Sequence, residues 1–333
     1  MRRIVAAGLA TTLTALSAVR PAGAAPLPPD PAAIWTLQDE NASISSAGLT
    51  DRYYTNGLRL GYASPTGVLP PILDGLAGSL WGDGQRRYTI DITQQIYTPS
   101  NTGVAVPPRG DRPYAGVLMG TFGLMSDTPG HRSVFSAGIG VMGPSALGEQ
   151  VQNGFHDLIG QRGNRGWGSQ LPDEPVVQIT SSRTYRVKMW QGGGIETDFL
   201  PELTAGLGTL RTYAQTGVTL RLGQGLESDY GVVRPRPAPS GGDAFQARKE
   251  VGWYVFAGAD GRGVLRDATL DGTLFSKSLH VHHDAVVGEG FAGFAVLLGS
   301  ARLSYTHVLQ SEEFKGQKGG LHQFGSLALS MRF

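Results

Sequence analysis

The last ten residues, FGSLALSMRF, alternate between two kinds of side chain. Leu327, Leu329, Met331 and Phe333 fall on one face, and Ala328, Ser330 and Arg332 on the other. A period of two marks a β-strand whose faces meet different surroundings. The pattern recurs upstream. In YYTNGLRLGY, Leu58, Leu60 and Tyr62 oppose Gly57, Arg59 and Gly61; in RYTIDITQQIY, Ile90, Ile92 and Ile96 oppose Thr89, Asp91, Thr93 and Gln95. Further segments, from IWTLQDEN to GFAVLLGSARLSYTHVL and the short SKSLHVHH, bring the expected count to between ten and fourteen strands.

The start of the chain says where such a sheet would sit. MRRIVAAGLATTLTALSAVRPAGAA has a basic start, a short apolar run and an Ala22-Gly23-Ala24 end, the three-part plan of a secretory signal peptide. The chain beyond it has no run of ~18 apolar residues, so no spanning helix is expected. Glycine, 49 of 333 residues, is about twice its usual share, while charged residues make up only 17%. An exported, glycine-rich, charge-poor chain with alternating strands fits a barrel that crosses a membrane with strands. The fold expected is therefore all-β: an antiparallel transmembrane β-barrel of twelve strands, with a short helix in an external loop. Residues 1–24 read as signal peptide, 25–33 as a Pro-rich lead and 34–333 as the barrel. The loop VVRPRPAPSGGDA reads as mobile, external or periplasmic.

Several chemistries drop out. There is no cysteine, so disulfides and thiolate metal sites are excluded. A net charge of +1 gives no electrostatic case for nucleic acid. GIGVMG (138–143) has dinucleotide-fingerprint spacing but lacks the strand–helix–strand surroundings that fingerprint needs. HVHH (280–283) reads as a polar loop end. Nucleophile-elbow, zincin and P-loop motifs are missing.

One stretch departs from the strand pattern. GPSALGEQVQNGFHDLIG predicts a helix over about 146–159, with Glu149, Gln152, Asn153 and His156 aligned by spacings of three and four. Together with Asn41, the DRYYTNGL block holding Thr55, and the YTPS and GDRPY segments, it resembles the outer-membrane lipid A 3′-O-deacylase family across essentially the whole mature chain. The resemblance implies an active site between the helix and the barrel wall. It implies His156 as activator of water, with Gln152, Thr55 and Asn41 catalytic, and a divalent cation, Ca²⁺. Asn41 and Asp39 are the metal residues expected here, Asp39 or Glu40 standing in for a family aspartate. Lipid A or lipopolysaccharide in the outer leaflet would be the partner.

The residue types agree, since histidine is the side chain suited to a base near neutral pH, and Asp39, Glu40, Asn41 and Thr55 offer the oxygens a hard cation takes. Two positions depart from the family pattern. Ala42 stands where the family often has aspartate, and Val104 falls at or near a family lysine. Strand parity also puts Asn41 and Thr55 on opposite faces unless a bulge intervenes. The alternatives are a barrel that binds lipid or passes small solutes without hydrolysis, and a soluble sandwich.

Overall fold

The alternation becomes sheet register. The computed structural model describes residues 27–45, 51–232, 243–247 and 249–333, so the signal-peptide expectation lies outside the described residues. Its strands are β1 (Ile34–Asn41), β2 (Tyr53–Ala63), β3 (Gln85–Thr98), β4 (Ala115–Asp127), β5 (His131–Met142) and β6 (Glu174–Tyr185). They continue as β7 (Val187–Gly192), β8 (Ile195–Gly208), β9 (Arg211–Gln224), β10 (Val251–Asp267), β11 (Val286–Leu298), β12 (Ala301–Gln310) and β13 (His322–Arg332). Three helices lie in loops: α1 (Pro71–Trp81), α2 (Gly148–Leu158) and α3 (Ala268–Asp271). None is long and apolar enough to cross a membrane.

Apart from β6 and β7, each strand pairs antiparallel with its neighbour in sequence. β1 pairs β13, Ile34 opposite Arg332, and the ring closes where β6 meets β8, Gln178 opposite Gly208. β7 prolongs β6 beyond Arg186 and pairs with the first part of β8. The result is a closed twelve-strand barrel with one extra strand, in which every long edge is paired. SKSLHVHH is a loop, and its His283 forms an isolated bridge with Phe314 in the connection between β12 and β13. Gly138 and Gly140 lie within β5, as the strand reading of GIGVMG requires.

Outward positions carry the apolar residues. In β1, Trp35 and Leu37 are exposed while Thr36, Gln38 and Glu40 point inward and are buried. The lumen is polar, and its charges pair across it. Asp91 meets Arg59 at 2.7 Å, and Arg59 also meets Asp243. Arg302 lies 3.0 Å from both Asp243 and Asp229, and Arg221 lies 2.6 Å from both Asp229 and Asp198. Seven residues of alternating charge thus form a strut from β3 and β2 to β9 and β8.

Asp229 and Asp243 are not on strands. They belong to the 225–250 connection at the end where β1 begins and β13 ends, so the described parts of that loop fold into the lumen. Burial alone would raise both carboxyls. Arg302 and Arg221 outweigh it at Asp229, and Arg59 and Arg302 at Asp243, holding both below the ordinary carboxylate value. The lead is anchored at the same end, with Asp30 paired to Arg87 and Arg332.

Candidate active site

At the end away from the start of β1 and the close of β13, α2 lies against the outer wall rather than in the lumen. The outward face of β3 ends in Gln94, Ile96 and Thr98, which are buried where Ile92 and Ile90 are exposed. What covers them is the 143–173 loop. Gln94 Nε2 donates to the Ala146 carbonyl at 2.7 Å, and Ile96 packs with Tyr114, Trp167 and Val151. Close approach needs glycine here: a Cβ at Gly148 would stand 2.7 Å from the Trp167 ring, and one at Gly116 3.2 Å from the Gly148 nitrogen.

Gln152 and His156 share the buried face of α2, one turn apart, as the spacing predicts. The helix itself spans Gly148–Leu158, after a 3-10 turn at Pro144–Ala146. His156 Nε2 is 3.0 Å from Asp51 Oδ2, and its Nδ1 is 3.1 Å from the Arg162 carbonyl. Asn164 Nδ2 donates to the same Asp51 oxygen at 3.4 Å, while Asn153 Oδ1 accepts from the Asn164 amide at 2.7 Å. Trp167 Nε1 donates to Gln152 Oε1 at 3.0 Å, and Gln152 Nε2 is buried with no partner among the described residues.

The Thr55 parity conflict is resolved by the backbone. Tyr54 pairs Tyr97 and Asn56 pairs Ile96, so Thr55 is the extra residue of a bulge. Thr98 spends its hydroxyl proton on the Asp51 carbonyl at 2.7 Å, so in the 2.7 Å contact between the two threonines Thr55 donates. Thr55 is thereby tied, through Thr98, to the segment that presents Asp51 to His156. The bulge and helix are held under backbone strain. Tyr53 and Leu147, the non-glycine residues at positive φ among the described residues, border β2 and α2 at this site.

Asn41 and Asp39 lie on the outward face of β1, but neither touches His156. Asn41 Oδ1 accepts from the Ser43 amide at 2.7 Å, capping the 3-10 turn Ala42–Ile44. Asp39 Oδ1 accepts from Asn56 Nδ2 at 2.8 Å, and Asn56 Oδ1 is buried without a partner among the described residues. Glu40 faces the lumen and accepts from the Tyr54 hydroxyl at 2.8 Å, which takes it out of any outer-wall donor set. No group of three His, Cys, Asp or Glu side chains suited to a metal exists among the described residues.

A twelve-strand barrel with a helix strapped to its outer wall at one rim is now in view. Residues 8–333 match the family model for the outer membrane protein LpxR. The chain belongs to the LpxR outer-membrane protein family. Among solved structures, LpxR from Salmonella typhimurium aligns at 24% identity with a TM-score of 0.73, covering 90% of this chain and 100% of that one. That likeness concerns the fold. The β domain of the Bordetella autotransporter BrkA aligns at 12% identity and a TM-score of 0.42, covering 91% of this chain and 98% of the other. No curated protein sequence matches.

In this LpxR-family barrel the site also uses residues that sequence reasoning passed over: Asp51, Thr98, Asn164 and Trp167. Asp51 stood in plain sight in TDRYYTNGL, four residues before Thr55. Nothing in its spacing linked it to a histidine more than a hundred positions away.

Proposed function

We propose that this protein is a lipid A deacylase, an outer-membrane esterase that uses His156 and water to remove the ester-linked 3′-acyloxyacyl group. The observation that carries the reading is the pair of acceptors around one imidazole. Asp51 and the Arg162 carbonyl both only accept, and a neutral ring has one N–H to give. The ring satisfies both at once as an imidazolium, the form it reaches after taking a proton from water. The pocket is thus complementary to the product of the base step.

In the reaction, a water that enters between His156 Nε2 and Asp51 gives its proton to that nitrogen as it attacks the ester carbonyl, forming a tetrahedral oxyanion, while Nδ1 keeps its proton on the Arg162 carbonyl. When that intermediate collapses, the carbon–oxygen bond to the 3′-oxygen of the sugar breaks, the acyloxyacyl group leaves as the free acid, and the imidazolium returns the proton to the departing sugar alkoxide. Asp51 holds the ring and stabilises its charge meanwhile. The unpaired Gln152 Nε2, one turn away on the same face, is a donor available to the substrate oxygen.

The donors around Asp39 fit a hard cation bound weakly. Asp39 supplies the carboxylate, and Asn56 Oδ1 is a buried acceptor lacking a donor. Asn41 and Thr55 add neutral oxygens, so the set carries little charge. Bound there, Ca²⁺ would polarise the ester carbonyl. Arg52, Arg162 and Arg165 flank the Asp51–His156 pair in sequence and supply cationic groups for lipid A phosphates in the absence of a lysine at Val104.

Purified protein in detergent micelles containing lipid A should release free fatty acid, stop when a chelator is added and resume with Ca²⁺. No release at millimolar Ca²⁺ would favour the barrel that binds without hydrolysis.

A further inference from the structure

Directly below the helix pocket, the lipid-facing wall is concave. Along the outward side of β3, the residues under α2 (Ile96, Gln94) are followed by Ile92 and Ile90, each step of two residues covering ~6.6 Å. Along β4, Gly116 under the helix is followed by Leu118, Gly120 and Phe122. Here the wall forms a groove of about 890 Å³. Gly120 and Ala137 lie in its floor, and Ile92, Phe122, Ile139 and Val177 stand around it. A Cβ placed on Gly120 would meet nothing within 4 Å, and Ile139 is 73% exposed. The groove is open, and its rim side chains Ile92, Phe122, Ile139 and Val177 are all exposed, Phe122 stacking on Tyr88.

We propose that this groove seats one acyl chain of the lipid whose ester sits at His156, holding that chain along the barrel wall. This rests on the deacylase reading of the helix pocket. Every exposed apolar residue of a barrel meets lipid, but a convex wall touches a chain on one side only. A trough with a glycine floor and aliphatic sides surrounds it and gains more close contacts per methylene. The groove also begins on the two strands, β3 and β4, that carry the floor of the pocket. A chain leaving the pocket toward the bilayer core would therefore enter it. At that depth acyl chains are the available apolar ligand.

The test uses the His156→Ala protein, so that no chain is cut, reconstituted with lipid A carrying a photoactivatable group within its acyl chains. After irradiation, adducts are mapped by peptide mass spectrometry. β11, six strands from β4 in either direction, serves as the far wall. Adducts on 118–122 and 137–139 should exceed those on 290–296 by about tenfold, which corresponds to ~1.4 kcal/mol of extra contact. Gly120→Trp should bring them to the far-wall level, and Ala292→Trp, on the far wall, should change nothing. Even labelling around the barrel, or enrichment that survives Gly120→Trp, would overturn the groove. Fatty-acid release by the unsubstituted protein, measured in parallel, reports separately on the deacylase reading. Groove labelling without release would discard hydrolysis and keep the chain site.

Discussion

Two parts of this molecule bury polar groups, and they do so to opposite ends. In the lumen strut, each carboxylate lies against an arginine, and the charges alternate from Asp91 to Asp198. In the helix pocket on the outer wall, Gln152 Nε2 and Asn56 Oδ1 are buried without partners among the described residues, and His156 faces two acceptors. Buried polar groups cost free energy unless paired. Charges that meet across the lumen therefore serve the fold, even with Asp91 Oδ2 and Arg302 Nε left over, whereas an unpaired donor on the same helix face as a histidine is open to a ligand. Position agrees with this division. The strut takes in Asp229 and Asp243 from the described parts of the 225–250 connection, at the end where β1 begins and β13 ends, and the pocket lies at the opposite rim.

If the division is right, changes in the pocket should remove activity and spare the barrel, and changes in the strut should do the reverse. The largest effect expected is that of His156→Ala, a loss of ~10²- to 10⁴-fold in deacylation rate, with heat-modifiable gel migration retained. Asp229→Ala would leave Arg221 and Arg302 facing each other without their shared anion. It should cost about 3–5 kcal/mol of barrel stability in urea unfolding, while the folded fraction keeps its turnover. Unchanged stability would show that the strut is dispensable.

Gln152→Met keeps the volume but removes the unpaired donor. A drop of ~10²-fold in kcat with little change in KM would mark a contact made in the transition state. A pure KM effect would make Gln152 a binding residue instead. Ala42→Asp, beside Asn41, should lower the Ca²⁺ concentration needed for half-maximal activity, since carboxylate count tunes affinity.

The smallest effect concerns pH. Asp229 is held below its ordinary value of 3.8, so its contribution is present above that pH and lost as pH falls through the still lower folded value. Barrel stability should therefore hold from pH 7 to pH 4.5 and decline below about pH 3.8. A decline already at pH 5 would argue against the paired strut.

Much of the fold was legible because a barrel writes itself in short-range pattern. The alternation in 327–333 and 87–97 placed those strands and told which side meets lipid, and the helix announced itself by breaking that period. What the sequence hid was long-range. VVRPRPAPSGGDA reads as an ordinary surface connection, because its composition does not reveal that Asp243, in its described part, has Arg59 and Arg302 to meet inside. Asp51 belongs to the site through pairing that only the closed barrel creates, across Thr98. Thr55 needed the bulge after Tyr54, which strict parity could pose as a problem but not place. Asn41 and Asp39 share the outward face of β1 and parity alone puts Glu40 on the opposite, lumenal side, yet nothing in the sequence told that Asn41 caps its own turn.

The central claim is that the His156 pocket on the outer wall, not the lumen, deacylates lipid A. Mass spectrometry of lipid A from cells producing equal amounts of the unsubstituted protein, His156→Ala and Asp229→Ala tests it directly. The account predicts that lipid A loses the mass of one acyloxyacyl group with the unsubstituted protein and with whatever Asp229→Ala reaches the membrane, and stays intact with His156→Ala. Full deacylation by a folded His156→Ala barrel would contradict it.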